Sequence, residues 1–183
     1  EPRVNARGVE PLKPWFAKID SVRDIAALER VMAELHDIAV VVPFNLAGQQ
    51  DPHKPVHVLA DIGASGFAMP ERDYYLKPDA RFKEAREKYQ AHIVAMFTLA
   101  GWSKTSATDG ARVVMGMETK FAEAFLDNVT LRDPAATDHN TTFAQLQAMV
   151  PHFDWAEYFR HKQLPEDVDL NVDQPKYMQE VER

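Results

Sequence analysis

Over residues 79–97, and again over 113–129, apolar side chains recur every three or four positions, and only a short link containing Gly101 and Thr105 parts the two runs. In the first run Phe82, Ala85, Tyr89, Ile93, Met96 and Phe97 form the stripe, with Pro78 and Asp79 placed to open a helix and Gly101 to close it. The second helix is predicted to follow Ser106, with Val113, Val114, Met117, Phe121, Phe125 and Val129 as its apolar side and Pro134 beyond its end. Two long helices joined by so short a link pack antiparallel. The chain is therefore predicted to be mainly α, a helical domain built around long antiparallel helices.

The flanking sequence adds smaller pieces. Residues 8–19 suit a short helix carrying Leu12, Trp15, Phe16 and Ile19, and the spacing of Ile25, Leu28, Met32 and Leu35 predicts an amphipathic helix capped by Ser21, with that face as core. Over 39–62, a β-branched apolar run, a stretch of turn formers and a second alternating run predict a β-hairpin or a small sheet of two or three strands. Pro43 keeps the first of these strands off a central position, because proline cannot donate a ladder hydrogen bond. Thr141 or Thr142 is placed to cap a helix through Phe143, Leu146 and Met149, and Asp154 another from Trp155 to about Leu164. Residues 168–172 suit a brief strand, and Pro175 a helix start.

Composition narrows the chemistry. With 183 residues, 45% of them hydrophobic, the chain can bury a core of its own. A formal charge of −7 with no clustered Lys and Arg argues against a nucleic-acid partner. The absence of cysteine removes disulfides, thiolate metal sites and cysteine nucleophiles together. No apolar run approaches the roughly 20 residues that cross a bilayer, so no membrane segment is expected in this chain.

Any zinc would have to be held by the seven histidines. His53 and His57 stand four apart, but Pro52 and Pro55 forbid the helix that would turn both rings to one face. His36, His92, His139, His152 and His161 stand singly, and none begins a His-Glu-x-x-His run. Ser65 lies in Gly63-Ala64-Ser65-Gly66, which lacks the elbow of a serine hydrolase, and no phosphate-binding loop occurs. The charged run from Arg81 to Lys88, which includes Arg86, suits a solvated helix face. No catalytic residue and no metal ligand is assigned to this chain.

The most specific stretch is Gly66-Phe67-Ala68-Met69-Pro70-Glu71-Arg72-Asp73-Tyr74-Tyr75-Leu76. It resembles the Gly-Leu-Pro-x-Arg-Asp-Tyr-Tyr motif of the neprilysin and endothelin-converting-enzyme family of zinc metallopeptidases, with Ala68-Met69 in place of the usual Gly-Leu. The flanks are similar too, at Arg7-Gly8-Val9-Glu10-Pro11-Leu12, at Thr142 to Leu146 with Phe153-Asp154-Trp155, and at Asn171 to Tyr177. The resemblance implies a two-lobed, extracytoplasmic endopeptidase that hydrolyses small peptides, with zinc held in a catalytic lobe outside this chain. Residues 1–183 are then expected to be one incomplete cap-side region, with the β element at 39–62 inside it, that walls the substrate cavity and is inactive alone. Its partners would be peptide substrates and the missing catalytic lobe. Pro70, Arg72, Asp73, Tyr74 and Tyr75 carry the motif, and their chemistry suits a structural role: Arg72 and Asp73 fixing a loop, the tyrosines burying rings with paired hydroxyls. The competing reading is a stand-alone, non-catalytic helical module that binds a peptide in a groove.

Overall fold

The computed structural model describes residues 7–40 and 42–183, so the first six residues and Val41, part of the predicted first strand, lie outside it. Among the described residues are eight α-helices and one four-stranded sheet of order β1-β2-β4-β3.

The hairpin forms where alternation predicts it, shifted toward the C-terminus. Strand β1 (Phe44–Gln50) pairs antiparallel with β2 (Val58–Ala64), Phe44 facing Ala64 and Gln50 facing Val58. Pro43 sits just before β1, and β1 is an edge strand, so the missing N–H breaks no ladder bond. The sheet is larger than expected because β4 (Leu170–Val172) joins β2 in parallel and β3 (Asn140–Thr141) pairs antiparallel with β4. Asn171 holds that far side together: its amide donates to Asp61 Oδ1 at 2.6 Å and to the Thr137 carbonyl at 3.0 Å, and its oxygen accepts from the His139 N–H at 2.6 Å.

Helix α1 (Lys13–Asp20), entered through a 3-10 turn at Glu10–Leu12, leads to α2 (Ile25–Asp37). The cap of α2 is Asp24 rather than Ser21: Asp24 has the extended backbone a cap requires and accepts from the Ala27 N–H at 2.7 Å, whereas Ser21 has helical dihedrals and closes α1. Two further caps follow prediction. Thr142 and Gln145 form a capping box on α6 (Phe143–Met149), and Asp154 accepts from the Glu157 N–H at 3.0 Å at the start of α7 (Trp155–His161). Pro175 opens α8 (Pro175–Val181).

A single turn, α3 (Asp73–Leu76), precedes the predicted hairpin of α4 (Ala80–Leu99) and α5 (Lys104–Ala124). Tyr89 meets Glu118 while Phe97 meets Gly110, the inverse order that antiparallel packing requires. A Cβ on Gly110 would lie 2.9 Å from the Phe97 ring, so the helices approach here as only glycine permits. That closeness decides which face of α5 goes in. Ala107, Ala111, Glu118 and Ala122 are buried, while Val113 and Met117, predicted as core, are 61% and 53% exposed. Phe125 and Val129 lie past the helix end. The α2 face is likewise reversed: Glu29 and Ala33 are buried, and Ile25 and Leu28 point outward.

The main core lies on the sheet, where Phe44, Ile62, Leu146, Trp155, Phe159 and Tyr177 are fully buried. A smaller cluster of Met69, Tyr75 and Ala122 sits under the α4–α5 hairpin.

Candidate functional site

The loop that carries the motif leaves the sheet at Gly66, whose φ of 134° favours glycine. A Cβ there would stand 2.8 Å from the Tyr177 hydroxyl and 3.1 Å from Pro43 Cα, so the loop can press on the core only with glycine at this position. From there Phe67 packs edge-on against Phe125 and Tyr75, and the chain turns through exposed Pro70 into α3.

Tyr75 is the hub of the loop. Its hydroxyl donates to Glu118 Oε2 at 2.6 Å and accepts from the Met69 N–H at 3.0 Å, while the Tyr89 hydroxyl donates to Glu118 Oε1 at 2.9 Å. Both oxygens of this buried carboxylate are thus occupied by phenols from two different elements. Burial, and then the bond to Glu118, push both tyrosines well above the usual phenol range, which keeps both as donors.

Arg72 does not pair with Asp73. Its Nε donates to the Ala122 carbonyl at 3.0 Å, in the last turn of α5, and Asp73 instead meets Lys77 one turn on at 2.6 Å. The half-buried Tyr74 ring packs edge-on against Phe82 at 5.0 Å. Arg86, read from sequence as solvated, is half-buried and donates to the carbonyls of Tyr74 at 2.7 Å and Lys77 at 3.0 Å. The loop is therefore tied to α5 by Arg72 and Tyr75, and to α4 by Arg86 and Phe82. Sequence reasoning missed Glu118 and Arg86, because charged residues in a helix are by default assigned to its wet face. The available signal was the small-residue spacing of Ala107, Ala111 and Ala122, which places Glu118 on the same face.

Two clefts flank the sheet. One, of about 420 Å³, is apolar and lies beside β1 and β2, with Leu46, Val58, Leu164 and Val168 in its walls. Its amine, Lys162, is already bonded to Asp37 and to the Ala33 carbonyl. The other, of about 250 Å³, is polar and includes Asp51, His53 and Asp169.

The histidines do not compose a zinc site. His53 pairs with Asp138 at 2.6 Å, His161 with Asp37 at 2.7 Å, and His152 with Glu182. Among the described residues no three His, Asp or Glu side chains converge as metal ligands.

His36 is instead a tie between layers. One ring nitrogen is 2.7 Å from the Tyr158 hydroxyl on α7 and the other 2.9 Å from the Val42 carbonyl ahead of β1. Burial, with Lys162 adding to it, depresses its pKa below 6.5, against smaller opposing effects of the Val42 carbonyl and Asp37. The unfolded chain then takes up this proton first, so the contribution of His36 is complete above about pH 6.5 and is lost as pH falls toward the folded-state value. Denaturant unfolding of the protein and of His36→Gln between pH 7.5 and 5 should show a smaller loss of stability in the variant. Parallel pH profiles would remove His36 as the cause.

This arrangement defines a class: a helical lobe with a mixed sheet, of the kind found in zinc metalloproteases. The chain matches zinc metalloprotease Zmp1 of Mycobacterium tuberculosis, solved in complex with an inhibitor, over 100% of its own length and 28% of that chain, at 29% identity and a TM-score of 0.91. It shares the fold of PepO from Lactobacillus rhamnosis over 96% of its length and 28% of that chain, at a TM-score of 0.83 and 18% identity. Endothelin-converting enzyme 1 of Rattus norvegicus is 25% identical over 114 residues, which are 62% of this chain and 15% of that protein. The family model for the N-terminal part of peptidase family M13 matches residues 1–183, and the chain belongs to that family. It spans well under a third of the relatives it matches.

Proposed function

We propose that residues 1–183 are the cap-side part of a zinc-dependent endopeptidase for small peptides, walling the substrate cavity while the zinc-binding lobe lies elsewhere in the parent polypeptide. The observation that carries this reading is the match to a zinc metalloprotease over the whole of this chain but only 28% of the other. The scattered, individually committed histidines are consistent with it. In the same reading the parent works outside the cytoplasm, as the endothelin-converting-enzyme resemblance suggests. Among the described residues no helix is long and apolar enough to cross a membrane.

The test is peptide hydrolysis by the full parent reading frame and by residues 1–183 alone. The parent should cleave small peptides, lose that activity to a chelator and regain it with zinc, and the shorter chain should be inactive in every condition. Zinc-independent cleavage, or cleavage by the shorter chain, would overturn the proposal.

Within that function the motif residues Pro70, Arg72, Asp73, Tyr74 and Tyr75 hold the loop rather than the substrate. Supporting this, the Arg72 guanidinium is spent on a main-chain carbonyl of α5. Arg72→Ala in the parent should lower stability by about 1–3 kcal/mol, the range for losing a charge-assisted hydrogen bond, with KM for peptides changed less than twofold. An unchanged melting temperature with a sharply raised KM would reverse the assignment.

A further inference from the structure

Helix α2 packs the wrong way round for a helix whose outer side meets water. Its inward side presents Ala33, 2% exposed, and the carboxylate of Glu29, 8% exposed, which accepts from the Asp154 N–H at 3.2 Å. Burial raises the Glu29 pKa, a cost that this hydrogen bond only partly offsets. The outward side presents Ile25 at 59% and Leu28 at 47% exposure. Helix α1 contributes to the same region: it has no buried residue, and Ile19 on it is 48% exposed. A cation–π contact of Lys18 on Trp15 and the Lys18–Glu34 ion pair bind α1 to α2, so the two helices act as one surface. The amphipathic spacing of α2 is regular, and its apolar stripe is simply not the side this lobe covers.

We infer that the outward apolar face of α1 and α2, centred on Ile19, Ile25 and Leu28, is the seat on which the remainder of the parent polypeptide docks. The occupant rests on the peptidase reading above. The lobe is kept intact, at a TM-score of 0.91, inside a chain of which it is 28%, so a large mass of the same polypeptide must pack against it. A lipid surface is a poorer fit. Over residues 10–37 carboxylates outnumber basic side chains, and an anionic membrane attracts the opposite balance.

The absence of cysteine from these 183 residues supplies the experiment. Ile25→Cys and Leu28→Cys are made singly in the full parent, with Val56→Cys, at a site 91% exposed, as the reference. Maleimide labelling is followed by mass spectrometry of the peptide that carries each position. Docking predicts labelling at 25 and 28 at least about tenfold slower than at 56, independent of protein concentration and of anionic phosphatidylserine vesicles. Equal rates at all three positions overturn the inference. Protection that grows with protein concentration identifies a second copy as occupant, and protection only with vesicles identifies lipid; either overturns it as well. Should a variant fold poorly, hydroxyl-radical footprinting of the unsubstituted parent reads the same contrast between Leu28 and Val56. A parent with protected thiols but no chelator-sensitive peptide hydrolysis keeps the docking face and overturns the proposed function. A hydrolysing parent with freely reactive thiols does the reverse.

Discussion

Glu118→Ala should lower stability by about 2–4 kcal/mol, because it strands two buried phenol donors and opens a space between α4 and α5. Tyr75, 5% exposed, and Tyr89 both donate to this carboxylate, and neither hydroxyl is given another acceptor. For a chain of this length that is a fall of roughly 5–15 °C in Tm, at about 2–4 °C per kcal/mol. Glu118→Gln should cost less than half as much, since the amide oxygen still accepts from one hydroxyl and its NH₂ can donate to the other. Tyr75→Phe also removes the acceptor for the Met69 N–H. Its loss and that of Glu118→Ala should therefore fall short of additive in the double variant, as for members of one network. Thermal unfolding of the four variants settles the matter. A Tm within a degree of the unsubstituted protein for Glu118→Ala would mean that the motif loop is not held through this carboxylate.

The network also marks what could be read in advance. Elements fixed by their own local chemistry were legible: the Thr142–Gln145 capping box, the Asp154 cap, the Pro175 helix start and the α4–α5 hairpin all stand where spacing puts them. The motif loop was legible as a pattern, and its pairing was not, since Arg72 reaches a carbonyl fifty residues away rather than its neighbour Asp73. The choice of buried face was illegible for a common reason. Periodicity says that a helix has an apolar side, and only the neighbours decide whether that side is covered within this lobe. In α5 the close approach at Gly110 selects alanines and turns Val113 and Met117 out. In α2 the Asp154 N–H draws Glu29 in and leaves Ile25 out. Strand β3, two residues long, exists because Asn171 grips the main chain at 137 and 139, a contact no local pattern announces.

Trp155→Ala should be the most damaging single change in the sheet-side core, at about 3–5 kcal/mol. The indole is fully buried, with ring centroids 4.4 Å from Phe153, 5.3 Å from Phe44 and 6.0 Å from Tyr158. Those rings belong to the turn before α7, to the start of β1 and to α7 itself, so the cavity would open where the sheet meets the helical layer. The loss should extend to His36, whose ring stands edge-on to both Phe44 and Tyr158. Trp155→Phe separates packing from hydrogen bonding. Among the described residues the buried indole N–H has no hydrogen-bond partner, a deficit worth about 1–3 kcal/mol that phenylalanine removes while keeping most of the ring volume. The Phe variant should accordingly lose less than about 1.5 kcal/mol in denaturant unfolding, with the m-value unchanged. Losses of similar size in the two variants would show that the indole N–H is bonded in solution and that the aromatic cluster holds by more than its packing.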